Sequence, residues 1–161
     1  MPISHEDVQI PPVSLALTDA GIEHQIFRHP GPVESLEQAA VERDQEPQQV
    51  IRSILFRLGK GQYAMVLVAG PDQISWKALR AYLGQSRVST ASREEVLQVT
   101  GYELGAVAPF GLPSPLRILI DSSVLDQSEI SLGSGVRGAA VILQASEMIK
   151  GIPNAEIANL T

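Results

Sequence analysis

The chain has 161 residues, no cysteine and a formal net charge of −6. A chain of about 150 residues buries roughly 68–70% of its unfolded surface, so a core forms without disulfide or metal staples. The lack of cysteine excludes disulfides, thiolate metal sites and a cysteine nucleophile. The negative charge counts against broad binding of duplex DNA, where lysines and arginines must replace counterions.

Residues 1–12 carry His5, Glu6 and Asp7 without a long apolar run, and read as a leader and not a signal peptide. Residues 13–161 are expected to form one domain. No apolar stretch reaches the roughly 18 residues that a membrane span needs, so no membrane partner is expected and the cytoplasm is the expected compartment.

In chain order, residues 13–20 suit a short helix stopped by Gly21, and residues 23–28 alternate as a strand does. His29, Pro30, Gly31 and Pro32 break regular structure. Residues 35–43 read as a helix, with Ser35 as N-cap and Gln38 three residues on. Residues 50–58 alternate in parity, and residues 62–69 are nearly all apolar, as in a strand buried on both faces. The short Gly59-Lys60-Gly61 loop makes these an antiparallel hairpin.

Residues 75–83 put Trp76, Leu79 and Leu83 on one helical face before the Gly84 stop. Residues 92–100 open with a Ser92/Glu95 capping box and stop at Gly101. Residues 116–121, 129–132 and 139–144 read as strands, and residues 146–150 as a last short helix. Strands dispersed among helices give an α+β class, without the long βαβαβ series of a doubly wound sheet.

No residue pattern announces a catalytic side chain. His5, His24 and His29 lack metal-ligand spacing, so no metal or other cofactor is expected. There is no GxSxG elbow, and the carboxylates are scattered. Gly133, Ser134, Gly135, Val136, Arg137 and Gly138 spell GxGxxG, but a strand follows where a dinucleotide site needs a helix. That segment is a tight turn, or a turn whose backbone N–H groups approach a ligand where no Cβ intervenes. Gly105 to Gly111, with Pro109 and Pro113 flanking Phe110, forms a stiff loop that either crosses a surface or walls a pocket. Arg52 shares its parity with Val50, Ile54 and Phe56. It is a strand-rim cation with its head in water, or part of an anion site. The same two readings apply to the grouping of Arg52 and Arg57, then Lys77, Arg80 and Arg87.

The runs 49–56, 63–68, 79–84, 91–102 and 105–111, followed by 133–138, resemble in order the YbaK/ProX family of aminoacyl-tRNA deacylases. This family includes the editing domain of bacterial prolyl-tRNA synthetases. The resemblance spans about residues 13–151. It implies a mixed, partly closed β-sheet or barrel with surrounding helices. It also implies hydrolysis of the ester between a wrong amino acid and the 3′ adenosine of tRNA, usually tRNA for proline carrying alanine, serine, cysteine or threonine.

The family needs no side-chain nucleophile; the terminal ribose hydroxyl helps place water. On this basis Arg52, Gly105 and Gly135 are the candidate catalytic positions. Phe27, His29 and Phe56 would line the mouth. Ala108, Pro109, Phe110 and Gly111 would size the amino acid, and Gly133, Ser134, Arg137 and Gly138 would hold the substrate. The implied partners are the aminoacyl-tRNA acceptor end and a prolyl-tRNA synthetase. The chain departs from the family at Arg52, where lysine is usual, and at Ala108, where serine is common. Arginine keeps the charge but changes its reach and fork geometry. These departures motivate the alternative of a non-catalytic module that binds aminoacyl-tRNA or adenosine, or docks on a synthetase. A small-ligand protein unrelated to tRNA is a third reading.

Overall fold

The computed structural model describes residues 10–161. Most of the expected leader lies outside the described residues. Helix α1 (Pro12–Asp19) begins with proline at its first position, where the missing N–H leaves no bond unmade. It leads to strand β1 (Gln25–Arg28) and helix α2 (Leu36–Glu42). Ser35 caps α2 by accepting from the Gln38 amide. The reciprocal bond of the expected capping box is displaced by one residue, because the Gln38 side chain accepts from the Glu34 amide.

Strands β2 (Ile51–Gly59) and β3 (Gln62–Ala69) form the antiparallel hairpin that the parity pattern implies. They belong to a five-stranded sheet of order β4-β2-β3-β5-β8. Its other members are β4 (Ser89–Thr90), β5 (Arg117–Asp121) and β8 (Glu156–Ala158), with β3, β5 and β8 parallel. A second, antiparallel sheet of order β1-β7-β6 contains β6 (Glu129–Gly133) and β7 (Ala139–Gln144). The sheets meet at an isolated bridge between Val50 and Ser131 and do not close into a barrel.

The five-stranded sheet is buried on both faces, which is why β3 is apolar throughout. Leu55, Met65, Leu67 and Ile120 face the larger core, with Leu132 and Val141 from the second sheet and Leu17 from α1. Phe56, Val66, Val68 and Leu119 face a smaller core under helix α3 (Trp76–Leu83). There Leu79 and Leu83 are buried, whereas Trp76 stays 40% exposed and meets the Phe56 ring edge-on. Helix α4 (Arg93–Thr100) has both bonds of the Ser92/Glu95 capping box and stops at left-handed Gly101. Helix α5 (Ala145–Lys150) follows β7 directly. Strands β4 and β8 are too short for a two-residue period to show in the sequence.

Candidate functional site

Strand β2 has a second strand partner only at Phe56 and Arg57, so residues 51–54 keep an open edge. That edge contributes Arg52, Ser53 and Ile54 to a cavity of about 430 Å³. Gly105, Val107 and Gly133 face it from the two glycine segments, and Leu36 and Arg43 from α2 and its C-terminal cap. A neighbouring cavity of about 640 Å³ shares Val33, Arg43, Gly105 and Ala139, and adds His29, Arg137 and Gly138. The two form one cleft of two lobes, with Arg43 and Gly105 at the junction.

The glycine segments clamp one another. The Gly135 amide donates to the Ala106 carbonyl oxygen at 2.9 Å, and a Cβ on Gly133 would overlap the Val107 carbonyl oxygen. Arg137 Nη2 donates to the Leu104 carbonyl oxygen at 3.1 Å, and its Nε lies 3.5 Å from Glu103. The Tyr102 hydroxyl donates to the Phe110 carbonyl oxygen at 2.6 Å, and burial pushes its pKa up. The turn is also anchored to α1, because the Val13 amide donates to the Ser134 carbonyl oxygen.

These contacts divide the residues singled out by sequence. Arg52, Gly105 and Gly133 line the smaller lobe; His29, Gly105, Arg137 and Gly138 line the larger. Phe27 is half-buried beside His29, ring centroids 4.9 Å apart. Phe56 lies in the smaller core under α3, and not at the cleft mouth. Ala108 and Phe110 are buried in the larger core, while Pro109 and Gly111 stand behind the wall. Gly111 approaches the Tyr102 hydroxyl there. Ser134 is fully buried, and its hydroxyl donates to the Ala139 carbonyl oxygen at 2.9 Å. Gly135 lines neither lobe: its amide is used by Ala106, and a Cβ there would press on Tyr102 and Pro12. It acts as a clamp between the loops. The Gly105 amide, in contrast, donates to no described residue.

Arg52 is already engaged. Its Nε donates to the Gly70 carbonyl oxygen at 2.8 Å, and its Nη2 to that of Asp72. Burial lowers its pKa, and nearby Asp72 opposes that shift.

Two cleft residues carried no functional signal in the sequence. Ser53 Oγ is the one buried side-chain polar atom without a hydrogen-bond partner among the described residues. Serine in an alternating strand reads as an ordinary polar position, so only the structure exposes this orphan. Arg43 reads as the polar end of a helix, yet its guanidinium is half-buried at the junction of the lobes.

Another basic group lies apart. Arg57, Lys60, Arg80 and Arg87 surround a cavity of about 610 Å³ at the opposite end of β2. Of these, Arg57 lies 3.7 Å from Glu95.

A family model for the aminoacyl-tRNA editing domain matches residues 30–150. The chain belongs to the aminoacyl-tRNA editing domain family. This editing domain is 30% identical over 117 residues to a proline–tRNA ligase of Streptococcus pneumoniae (strain 70585), covering 72% of the chain and 19% of the ligase. It is 32% identical over 78 residues to the proline–tRNA ligase of Kosmotoga olearia, covering 48% of the chain and 13% of the ligase. It thus spans only a small part of the curated relatives it matches. A solved candidate trans-editing enzyme for prolyl tRNA synthetase superposes with a TM-score of 0.85 at 24% identity, covering 99% of each chain. That likeness supports the mixed α+β fold. No helix among the described residues is long and apolar enough to cross a membrane.

Proposed function

We propose that this editing domain hydrolyses mischarged aminoacyl-tRNA in trans, acting in the cytoplasm on tRNA for proline that carries a small wrong amino acid such as alanine, serine, cysteine or threonine. The reading rests on the two-lobed cleft, which sets the two glycine segments against the open edge of β2, in a chain of this family. The smaller lobe suits the aminoacyl group, with Ile54 and Val107 as apolar walls and Ser53 Oγ as an unused polar group. The larger lobe, with His29 and Arg137, suits the terminal adenosine.

Water attacks the ester carbonyl and the ribose oxygen leaves, so the products are a free amino acid and a 3′-terminal ribose hydroxyl. The Gly105 amide, at the lobe junction, is the donor we assign to the developing oxyanion. One such preorganised donor contributes about 2.7–4 kcal/mol to a transition state. The neighbouring ribose hydroxyl positions the water, which accounts for a cleft without a serine or cysteine nucleophile. A synthetase pocket built for proline loses only about 1–3 kcal/mol per missing methylene, so smaller amino acids slip through and need a second sieve.

The net charge of −6 confines tRNA contact to local basic groups. The cluster of Arg57, Lys60, Arg80 and Arg87 offers acceptor-stem phosphates such a place beyond the cleft. A prolyl-tRNA synthetase could share the rest of the tRNA surface. The test is deacylation of alanyl-, seryl-, cysteinyl- and prolyl-tRNA for proline by the purified protein. Release of a small amino acid with prolyl-tRNA spared is the expected result; no release from any would overturn the reading.

A second reading, a binding module without turnover, draws on Arg52. Its Nε and Nη2 are held by backbone carbonyls and not turned to a ligand. Slow or absent hydrolysis by the wild type, with hydrolysis gained in Arg52→Lys, would favour a pocket that has lost or retuned its chemistry.

A further inference from the structure

Arg43 makes no direct ion pair among the described residues, although the Glu42 carboxylate acts on it through space. Its Nε donates to His29 Nε2 at 3.1 Å, and its Nη1 donates to Ser131 Oγ at 2.9 Å. Both partners are neutral groups. His29 Nε2 can accept that proton only when it carries none, so the imidazole proton sits on Nδ1 and is donated to Glu42 Oε1 at 2.6 Å. Glu42 also accepts from the Gln38 side chain at 2.8 Å, and it reaches Arg43 only through the neutral His29 ring, with no direct contact within 4.0 Å. Those two bonds, Gln38 first, hold its carboxyl below the usual range.

Ser131 is itself fully buried and donates to Gln45 Oε1 at 2.7 Å, while Gln45 Nε2 donates to Glu129 at 3.1 Å. The two direct partners that fix Arg43 are therefore neutral, and the carboxylates stand further out, Glu42 behind His29 and Glu129 behind Ser131 and Gln45. Burial pushes the Arg43 pKa down to about 10, and the Glu42 carboxylate opposes that shift. Its Nη2 makes no hydrogen bond among the described residues. Glu34 also lines the smaller lobe, but it is exposed and makes no ion pair with Arg43.

A partly desolvated guanidinium is costly unless an anion compensates it. Glu42 offsets part of that cost from a distance, while Arg43 lines both lobes with Nη2 unbonded among the described residues. Arg52, on the opposite wall of the same lobe, likewise forms no ion pair within 4.0 Å among the described residues. We infer that Arg43 is a second ligand-binding cation of the cleft, which takes a phosphate oxygen of the bound nucleotide at the junction of the lobes. The identity of that anion as the terminal nucleotide's phosphate rests on the editing reading; the anion site does not.

The experiment compares binding of adenosine 5′-monophosphate and adenosine to the wild type, Arg43→Gln and Arg43→Lys by calorimetry, with thermal unfolding of each protein as the check on folding. A charge-assisted phosphate contact is worth about 1.5–3 kcal/mol, so the monophosphate should bind the wild type on the order of tenfold or more tighter than adenosine. Arg43→Gln should reduce that ratio towards one, and Arg43→Lys should keep part of it. In parallel, the Arg43 Nε resonance of nitrogen-15-labelled wild type should shift saturably with inorganic phosphate, a readout that needs no variant. An unchanged ratio in folded Arg43→Gln, or an Arg43 resonance indifferent to phosphate, would overturn the inference. Phosphate recognition through Arg43 in a protein that deacylates no mischarged tRNA would instead overturn the editing reading and leave this one standing.

Discussion

The Gly135 amide donates to the Ala106 carbonyl oxygen at 2.9 Å, and this bond holds the two walls of the cleft in register. The contact is backbone to backbone, so side-chain size at the neighbouring glycine decides whether it survives. At Gly133 a Cβ would lie 2.9 Å from the Ala106 carbonyl oxygen and overlap that of Val107. Gly133→Ala should therefore part the loops, destabilise the protein by about 1–3 kcal/mol and abolish nucleotide binding. Gly138 has φ 82° with open space around it, so Gly138→Ala meets only the left-handed backbone penalty of about 1–2 kcal/mol. Denaturant unfolding and calorimetry on the two variants check this; equal binding by Gly133→Ala would show that the walls can move independently.

Tyr102 supports the same wall from behind. Tyr102→Phe removes the donor to the Phe110 carbonyl oxygen in a buried setting. A buried acceptor left without its partner costs about 1–3 kcal/mol. We expect a loss of that size in urea unfolding, accompanied by reduced deacylation, because the 105–111 loop loses its tie. A stability change below about 0.5 kcal/mol would mean that water replaces the hydroxyl.

Ser53 should behave in the opposite way. Its hydroxyl is buried without a partner, so Ser53→Ala removes an unmet polar group. Stability should hold or rise, while binding of a 3′-alanylamino-adenosine analogue weakens by about 0.5–1.5 kcal/mol, the value of one hydrogen bond. Unchanged affinity for that analogue would take Ser53 out of ligand recognition.

Arg52 carries a structural share along with its position in the cleft. Arg52→Ala frees the carbonyl oxygens of Gly70 and Asp72, and should lower stability by about 1–3 kcal/mol as well as activity. Arg52→Lys keeps the charge with a single ammonium in place of a fork, so it should recover part of the stability. Unfolding curves alongside single-turnover deacylation separate the two contributions; undiminished activity in Arg52→Ala would remove Arg52 from the site.

Strand β8 is attached through a carboxylate. Glu156 accepts from Arg117 Nε at 2.8 Å and Nη2 at 2.9 Å, and from the Tyr82 hydroxyl at 2.9 Å. The Arg117 bonds, then that of Tyr82, hold the Glu156 carboxyl below its ordinary value of 4.5. A depressed carboxyl stabilises the folded form above its unfolded pKa, and that stability is lost as pH falls through the folded value. Unfolding free energy should therefore fall with pH from about 4.5 downwards, and Glu156→Gln should flatten that fall. The same slope in both proteins would assign the acid sensitivity to other carboxylates, Glu95 and Glu42 among them.

Local chemistry made most of the elements legible. The β2–β3 hairpin, the Ser35 and Ser92 caps and the Gly84 and Gly101 stops follow from side chains within a few residues of one another. The editing-domain family was legible too, because its motifs are runs of adjacent residues in order. The cleft was legible only as two glycine segments. Parity placed Arg52, Ile54 and Phe56 on one side of β2, but parity does not say where along the strand a covering helix begins. Phe56 thus lies under α3, while Arg52 reaches the turn at Gly70 and Asp72.

By itself, then, the sequence determined most of the elements, the Ser35 and Ser92 caps and the family, since these depend on short-range periodicity and contiguous motifs. The tertiary structure alone decided which groups the cleft leaves unmet. Arg43 and Ser131 are 88 residues apart, and only the meeting of α2 with the β6 strand makes one a neutral partner of the other. Whether a cation has a counter-ion, or a hydroxyl such as Ser53 Oγ has an acceptor, is a property of what the fold brings within about 3 Å, which no local spacing encodes.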